Sequence, residues 1–226
     1  MGQDASTFVK NVDDAFLFVA AASLVVLIGI VIFMVYFVVR YSRKRNPVPT
    51  DIPGNTFLEV LWTAIPTVLF LGMFYFGWVG FEQMRNIPKD AIGLKVVARM
   101  WQWQFDYPNG VQTDTLYVPV NKPIKLEITS MDVNHSFFVP AFRIKRDAIP
   151  NMRNTMWFDA TEKGSFDVEC AEYCGLKHSL MLTKVVVMDS SAFDAWYRDV
   201  SKAQAKPYAS LFVAPTAETG APSESQ

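Results

Sequence analysis

The chain has two cysteines and two histidines, and both cysteines and one histidine lie in a single stretch, "CAEYCGLKHSLM", from Cys170 to Met181. The spacing is C-x3-C-x3-H-x2-M. Thiolate, imidazole and thioether donors are soft ligands, and together they suit redox-active copper. A blue-copper site uses one Cys, two His and a weak axial Met. This chain offers one Cys more, so two coppers sharing two sulfurs become chemically reasonable. Each copper then needs one imidazole and one weak donor. His178 and Met181 lie in the stretch. The second imidazole must be His135, in "DVNHSFFVP", because the chain has no other histidine. A backbone carbonyl between the cysteines would serve as the last weak donor.

Other chemistries use the same residues. A structural zinc site would take Cys170, Cys174, His135 and His178, leaving Met181 unexplained. A reactive dithiol is expected at Cys-x-x-Cys spacing. A Cys170–Cys174 disulfide would close a very short loop and constrain little.

A distant histidine joined to a Cys-His-Met loop requires a β-framework to bring them together. From about Ile92, short β-branched and aromatic runs supply one: "LKVVARMWQWQFDY", "TLYVPV", "PIKLEITS", "HSFFVP", "NTMWFDAT", "GSFDVECA" and "LMLTKVVVMD". Turn signals separate them, so the expected fold is a sandwich or barrel. In "MWQWQFDY" two tryptophans two apart would share one side of a strand. Residues 191–205 read as an amphipathic helix with Phe193, Trp196, Tyr197 and Val200 on one side. The end, "PTAETGAPSESQ", has the composition of a disordered tail.

Ahead of this domain lie two uncharged runs, 15–39 and 60–81, of 25 and 22 residues. About 20 apolar residues cross a hydrocarbon core, so each is long enough to span. The first is too long for a signal-peptide core and lacks a basic leader. The linking segment carries Arg40, Arg43, Lys44 and Arg45, which places it on the cytoplasmic side and the β-domain outside. The expected organisation is a membrane anchor over 1–91, an exported domain over 92–205, and a tail over 206–226. The whole chain is 51% hydrophobic with net charge −1, so no global basic field for nucleic acid exists.

Over roughly residues 15–200 the chain resembles subunit II of the haem-copper cytochrome c oxidases. The resemblance rests on the hairpin, "LEVLWTAIP", "MWQWQFDY", "DVNHSFFVP", "RDAIP" and "CAEYCGLKHSLM" in that order. It implies a two-helix transmembrane hairpin followed by an all-β cupredoxin-like domain holding a dinuclear CuA centre. Cys170 and Cys174 would be bridging thiolates, and His135 and His178 terminal imidazoles. Met181 and the backbone carbonyl of Glu172 would be the weak ligands. The Glu172 side chain would bind a Mg2+ shared with the catalytic subunit.

The resemblance also implies that electrons enter at Trp101, with Trp103 left to packing. Asp106 and Asp132 would attract a basic cytochrome c. Glu59 would mark the mouth of a proton pathway on the cytoplasmic side. The family often has His-Gln where this chain has Arg99 and Met100, which alters the docking surface. The implied function is electron acceptance from cytochrome c and delivery to haem in subunit I, with subunit III as a further partner. No catalytic residue lies in this chain, and oxygen reduction belongs to the partner. The implied location is a bacterial inner membrane with the domain in the periplasm; a mitochondrial inner membrane is the second choice. Two rival functions share parts of this pattern: the CuA subunit of a nitric oxide reductase, and a membrane-anchored copper carrier.

Overall fold

The computed structural model describes residues 5–204. Two long helices come first, α1 (Val9–Arg40) and α2 (Thr56–Arg85). Both extend beyond the apolar runs that mark them in sequence, because polar residues at each end can continue a helix outside hydrocarbon. Asn55 caps α2 by accepting the Leu58 N–H at 3.2 Å, satisfying an otherwise orphaned donor. Pro66 sits inside α2 without ending it. Around it the Thr63 and Thr67 hydroxyls donate to the carbonyls of Glu59 and Thr63. The most apolar 18-residue windows of α1 and α2 have mean hydropathies of 3.0 and 1.8, with none of either window buried. Exposed apolar surface of this length suits helices that cross a hydrocarbon core.

Among the described residues ten strands follow: β1 (Ile92–Arg99), β2 (Gln102–Asp106), β3 (Gln112–Thr113), β4 (Leu116–Pro119), β5 (Pro123–Ser130), β6 (His135–Val139), β7 (Ile144–Ala148), β8 (Asn154–Asp159), β9 (Gly164–Cys170) and β10 (Leu182–Met188). They form two five-stranded sheets, ordered β3-β2-β1-β5-β8 and β4-β10-β9-β6-β7. β1 and β5 run parallel, as do β10 and β4. The alternating burial of β1, β5 and β9 is that of sheets with one face on a core. Between them lie Phe105, Phe137, Phe142 and Phe158, all fully buried.

The helix α3 (Ser190–Gln204) closes the domain. Phe193 is buried, and Trp196, Tyr197 and Val200 pack against the core. The proposed tail over 206–226 lies outside the described residues.

Three features differ from the sequence reading. β7, "IKRDA", is an edge strand whose middle three residues are exposed, so it carries no apolar alternation. β3 is only two residues long. The third difference concerns the anchor, expected to span 1–91. Its first described residues pack on the β-domain: Ala5, Phe8 and Val9 are buried, the Thr7 N–H donates to Asp159 O, and the Thr161 N–H donates to Ala5 O. Phe8 meets Trp157 edge-on at 4.8 Å. Arg143 Nε then donates to Asp13 at 2.8 Å. The chain therefore enters the first membrane helix directly from the sandwich core. The short polar–apolar mixture "ASTFV" gave no periodic signal for this.

Candidate metal centre

Strand pairing creates the centre. β6 and β9 are antiparallel neighbours with Phe137 opposite Cys170, and the Ala171 N–H donates to Ser136 O at 2.9 Å. Residues 35 apart in sequence thus meet at one sheet end, His135 opening β6 and Cys170 closing β9. β9 and β10 pair with Leu182 opposite Glu169, so the segment 171–181 is a loop closed at its base. Within it His178–Leu180 forms one 3-10 turn. The His178 N–H donates to Gly175 O and the Met181 N–H to His178 O, at 3.1 and 3.2 Å. These bonds fold Cys174, His178 and Met181 back over Cys170.

Gly175 has φ +113, a backbone region that disfavours side chains. Its open face holds the Trp101 indole: a Cβ built there would lie 3.5 Å from Cζ2.

The donor atoms converge. The Cys170 and Cys174 sulfurs are 3.7 Å apart and unbridged. Cys170 Sγ lies 3.8 Å from His135 Nδ1 and 3.3 Å from the Glu172 carbonyl oxygen. Cys174 Sγ lies 3.6 Å from His178 Nδ1 and 3.8 Å from Met181 Sδ. Ligands about 2.0–2.3 Å from one tetrahedral ion stand roughly 3.3–3.8 Å from one another, which is the spacing here. His135 and Met181 are fully buried, and Cys170 and Cys174 nearly so. Burial pushes the Cys174 thiol up to about 12, reinforced by its contact with Cys170. A cation bound here by thiolate would displace the thiol proton. The donor set fits copper. A single tetrahedral zinc would use four ligands and leave two of these six donors idle.

The other expected residues divide. Trp101 is not on a strand; it lies in the β1–β2 turn, packed on Gly175, with Lys177 Nζ 5.7 Å from its ring centroid. Its indole N–H has no hydrogen-bond partner among the described residues. The turn separates it from Trp103, which is buried on β2 and meets His135 and Phe137 edge-on at 6.2 and 5.5 Å.

Asp132 stands at the centre itself, 2.8 Å from His135 Nε2. Burial works against its charge, but hydrogen bonds from Met100, His135 and Val133 outweigh it and hold the carboxyl at about 2. Asp106 is at the far end of β2, five residues beyond Trp101 or roughly 16 Å along an extended strand, and accepts from Gln104 at 2.7 Å. Glu59 is in the first turn of α2, about 39 Å along the helix from Arg85. Sequence reasoning gave Asp132 an outward role. Its position three residues before His135 was the available sign of an inward one.

The molecule matches known proteins over both of its parts. Residues 1–76 match the family model for the transmembrane domain of cytochrome c oxidase subunit II, and residues 110–189 that for its periplasmic domain. Cytochrome c oxidase subunit 2 of Cereibacter sphaeroides is 30% identical over 81% of this chain and 73% of its own length. The protein of that name from Alkalihalophilus pseudofirmus is 34% identical over 82% of this chain. The chain spans 58% of that relative's length. Among solved structures, the periplasmic domain of subunit II of cytochrome oxidase from Bradyrhizobium japonicum superposes with a TM-score of 0.50. It is 32% identical and covers 52% of this chain and 99% of its own. An apolar helical hairpin, a β-sandwich and these matches over both agree: the chain is a membrane protein belonging to the cytochrome c oxidase subunit II family.

Proposed function

We propose that this chain is the electron-accepting subunit of a haem-copper terminal oxidase, taking electrons from cytochrome c at a dinuclear CuA centre and delivering them to haem in a catalytic partner. The observation that carries this reading is the doubling of the donor set. There are two thiols, two imidazoles and two weak donors, with one imidazole nitrogen and one weak donor within 3.8 Å of each sulfur. Cys170, Cys174, His135, His178, Met181 and the Glu172 carbonyl would hold the metals. Bound there, a copper pair bridged by both sulfurs would supply a one-electron relay with the electron shared between two metals.

The remaining residues have roles around that centre. The sandwich core behind His135 and Cys170 limits movement of the ligands and keeps water out. Trp101, half-buried against the cysteine loop, would be where electrons arrive. The face around it is the docking surface for the donor. Asp106, about 16 Å along β2 from Trp101, would lie toward the rim of that surface, since an interface of about 800 Å² per partner reaches that far. The exposed Glu172 side chain is free to reach a Mg2+ held jointly with the catalytic subunit.

Both histidines of the chain lie at this centre, which supports placing haem and oxygen reduction in subunit I, with subunit III alongside. The basic Arg40, Arg43, Lys44 and Arg45 at the α1–α2 link favour a bacterial inner membrane with the sandwich in the periplasm. Glu59, at the cytoplasmic end of α2 in that topology, would stand at a proton path into the partner. No observation favours the nitric oxide reductase or copper-carrier readings.

The test is an electron paramagnetic resonance spectrum with copper quantified, on the full chain in detergent. A seven-line hyperfine pattern with two coppers per chain is expected. A four-line pattern with one copper, or a silent protein holding zinc, would overturn the reading.

A further inference from the structure

Asp132 links two parts of the centre that are otherwise separate. Its Oδ1 accepts the Val133 N–H at 2.6 Å and stands 2.8 Å from His135 Nε2. Its Oδ2 accepts the Met100 N–H at 2.6 Å. The Asp132 backbone N–H in turn donates to the Ser130 hydroxyl at 3.2 Å, and that hydroxyl lies 3.3 Å from Oδ1, which ties residue 132 to the end of β5.

Backbone N–H groups can only donate, so both carboxylate oxygens are acceptors here. An acceptor facing Nε2 requires the proton of a neutral His135 ring to sit on Nε2. Nδ1 is then bare, and it is Nδ1 that faces Cys170 Sγ at 3.8 Å. A metal ligand must present a bare nitrogen, and a carboxylate on the opposite ring nitrogen fixes which one that is. The ring is fully buried and edge-on to Trp103, so it has little freedom to turn over.

The second contact reaches a different element. Met100 precedes Trp101 in the β1–β2 turn, and Trp101 packs on Gly175 of the cysteine loop. One carboxylate thus holds both a ligand ring and the turn carrying the tryptophan. The Asp132 side chain is only 25% exposed, and both its oxygens are engaged, which leaves little of it for an outside partner.

We propose that Asp132 is a positioning residue that fixes His135 in the Nε2–H tautomer and pins the Trp101 turn to the same ligand. The role of the bare Nδ1 rests on the copper reading; the tautomer and the pinning do not.

The test uses the copper-free full chain in detergent, labelled with nitrogen-15 histidine. With two histidines in the chain, two ring systems are resolved. In the wild type the proton of the neutral His135 ring should sit on Nε2, and the Met100 amide should be protected from hydrogen exchange. Asp132→Ala should give mixed His135 tautomers, faster Met100 exchange and a copper dissociation constant raised about 10–100-fold. Asp132→Asn keeps one accepting oxygen; it should preserve the His135 tautomer and lose the Met100 protection.

A wild-type His135 protonated at Nδ1 would overturn the proposal. So would an unchanged tautomer and unchanged Met100 exchange in Asp132→Ala, with only the donor KM and its salt dependence altered. That outcome would make Asp132 a docking residue. If the tautomer responds as expected but the wild type never binds two coppers, the positioning role stands and the copper reading falls.

Discussion

The two imidazoles of the centre are held by different kinds of structure. His135 opens a strand, is fully buried, and is braced by Asp132 on one side and Trp103 on another. His178 sits on a single 3-10 turn, is half-buried, and is faced by the ring of Tyr173, itself 77% exposed, at 5.8 Å. Cys170 ends a sheet strand, whereas Cys174 is carried by the loop. One half of the donor set is built into the sandwich and the other is laid over it. A rigid half keeps ligand geometry constant when charge changes. A loop half gives a metal a way in, since loops open locally at low free-energy cost.

The widest separation between the halves should appear when each ring is removed. His135→Ala and His178→Ala should both abolish two-copper binding. In the copper-free chain they should differ. Deleting a fully buried ring leaves a cavity and strips Asp132 of a partner, costing about 3 kcal/mol. Deleting the loop ring should cost less than about 1 kcal/mol. Chemical denaturation of the copper-free variants, followed by near-UV circular dichroism, measures both. Equal losses would mean the halves are not energetically distinct.

The same division explains what could be read from the chain. That these side chains would converge was legible because one chemistry accounts for both cysteines and both histidines. The strands around His135 and Cys170 were legible because "HSFFVP" and "GSFDVECA" carry β-branched and aromatic residues bounded by turns. The bond from Asp132 to Met100 spans 32 residues and follows from sheet packing, which no local pattern encodes. Trp101 was misplaced onto a strand because the period-2 spacing of "WQW" hides a turn between β1 and β2. The "ASTFV" segment reads as part of the anchor because its burial depends on backbone pairing with residues 159–161, about 150 positions away in sequence.

A smaller effect should be confined to the loop half. Gly175→Ala places a Cβ on a residue at φ +113, at a cost of about 1–3 kcal/mol. The strain has an outlet only through the loop, so Trp101 should shift and copper should dissociate faster. His135, held from the sheet, should keep its tautomer. Stopped-flow transfer of copper to a chelator reads the first effect and nitrogen-15 histidine spectra the second. A change at His135 would mean that strain crosses between the halves.

The smallest effect probes the rigid half through pH. Ser136, the residue after His135, is fully buried and donates to Asp147 on β7 at 2.7 Å. That hydrogen bond, opposed by burial and aided by Lys145, holds the Asp147 carboxyl below its ordinary value of 3.8. A depressed acid contributes stability that is fully present above 3.8 and is lost as pH falls through its lower folded value. Asp147→Asn should therefore lower stability slightly at neutral pH and flatten the loss on acidification below about pH 4. Half of the Asp147 side chain is exposed, so solvent screening keeps the effect small. Denaturation midpoints at several pH values between neutral and acid measure it in the copper-free chain. If wild type and variant lose stability in parallel as pH falls, the Ser136–Asp147 contact does not secure the edge of the sheet that carries His135. The rigidity of that half would then rest on the core behind it and on Asp132 alone.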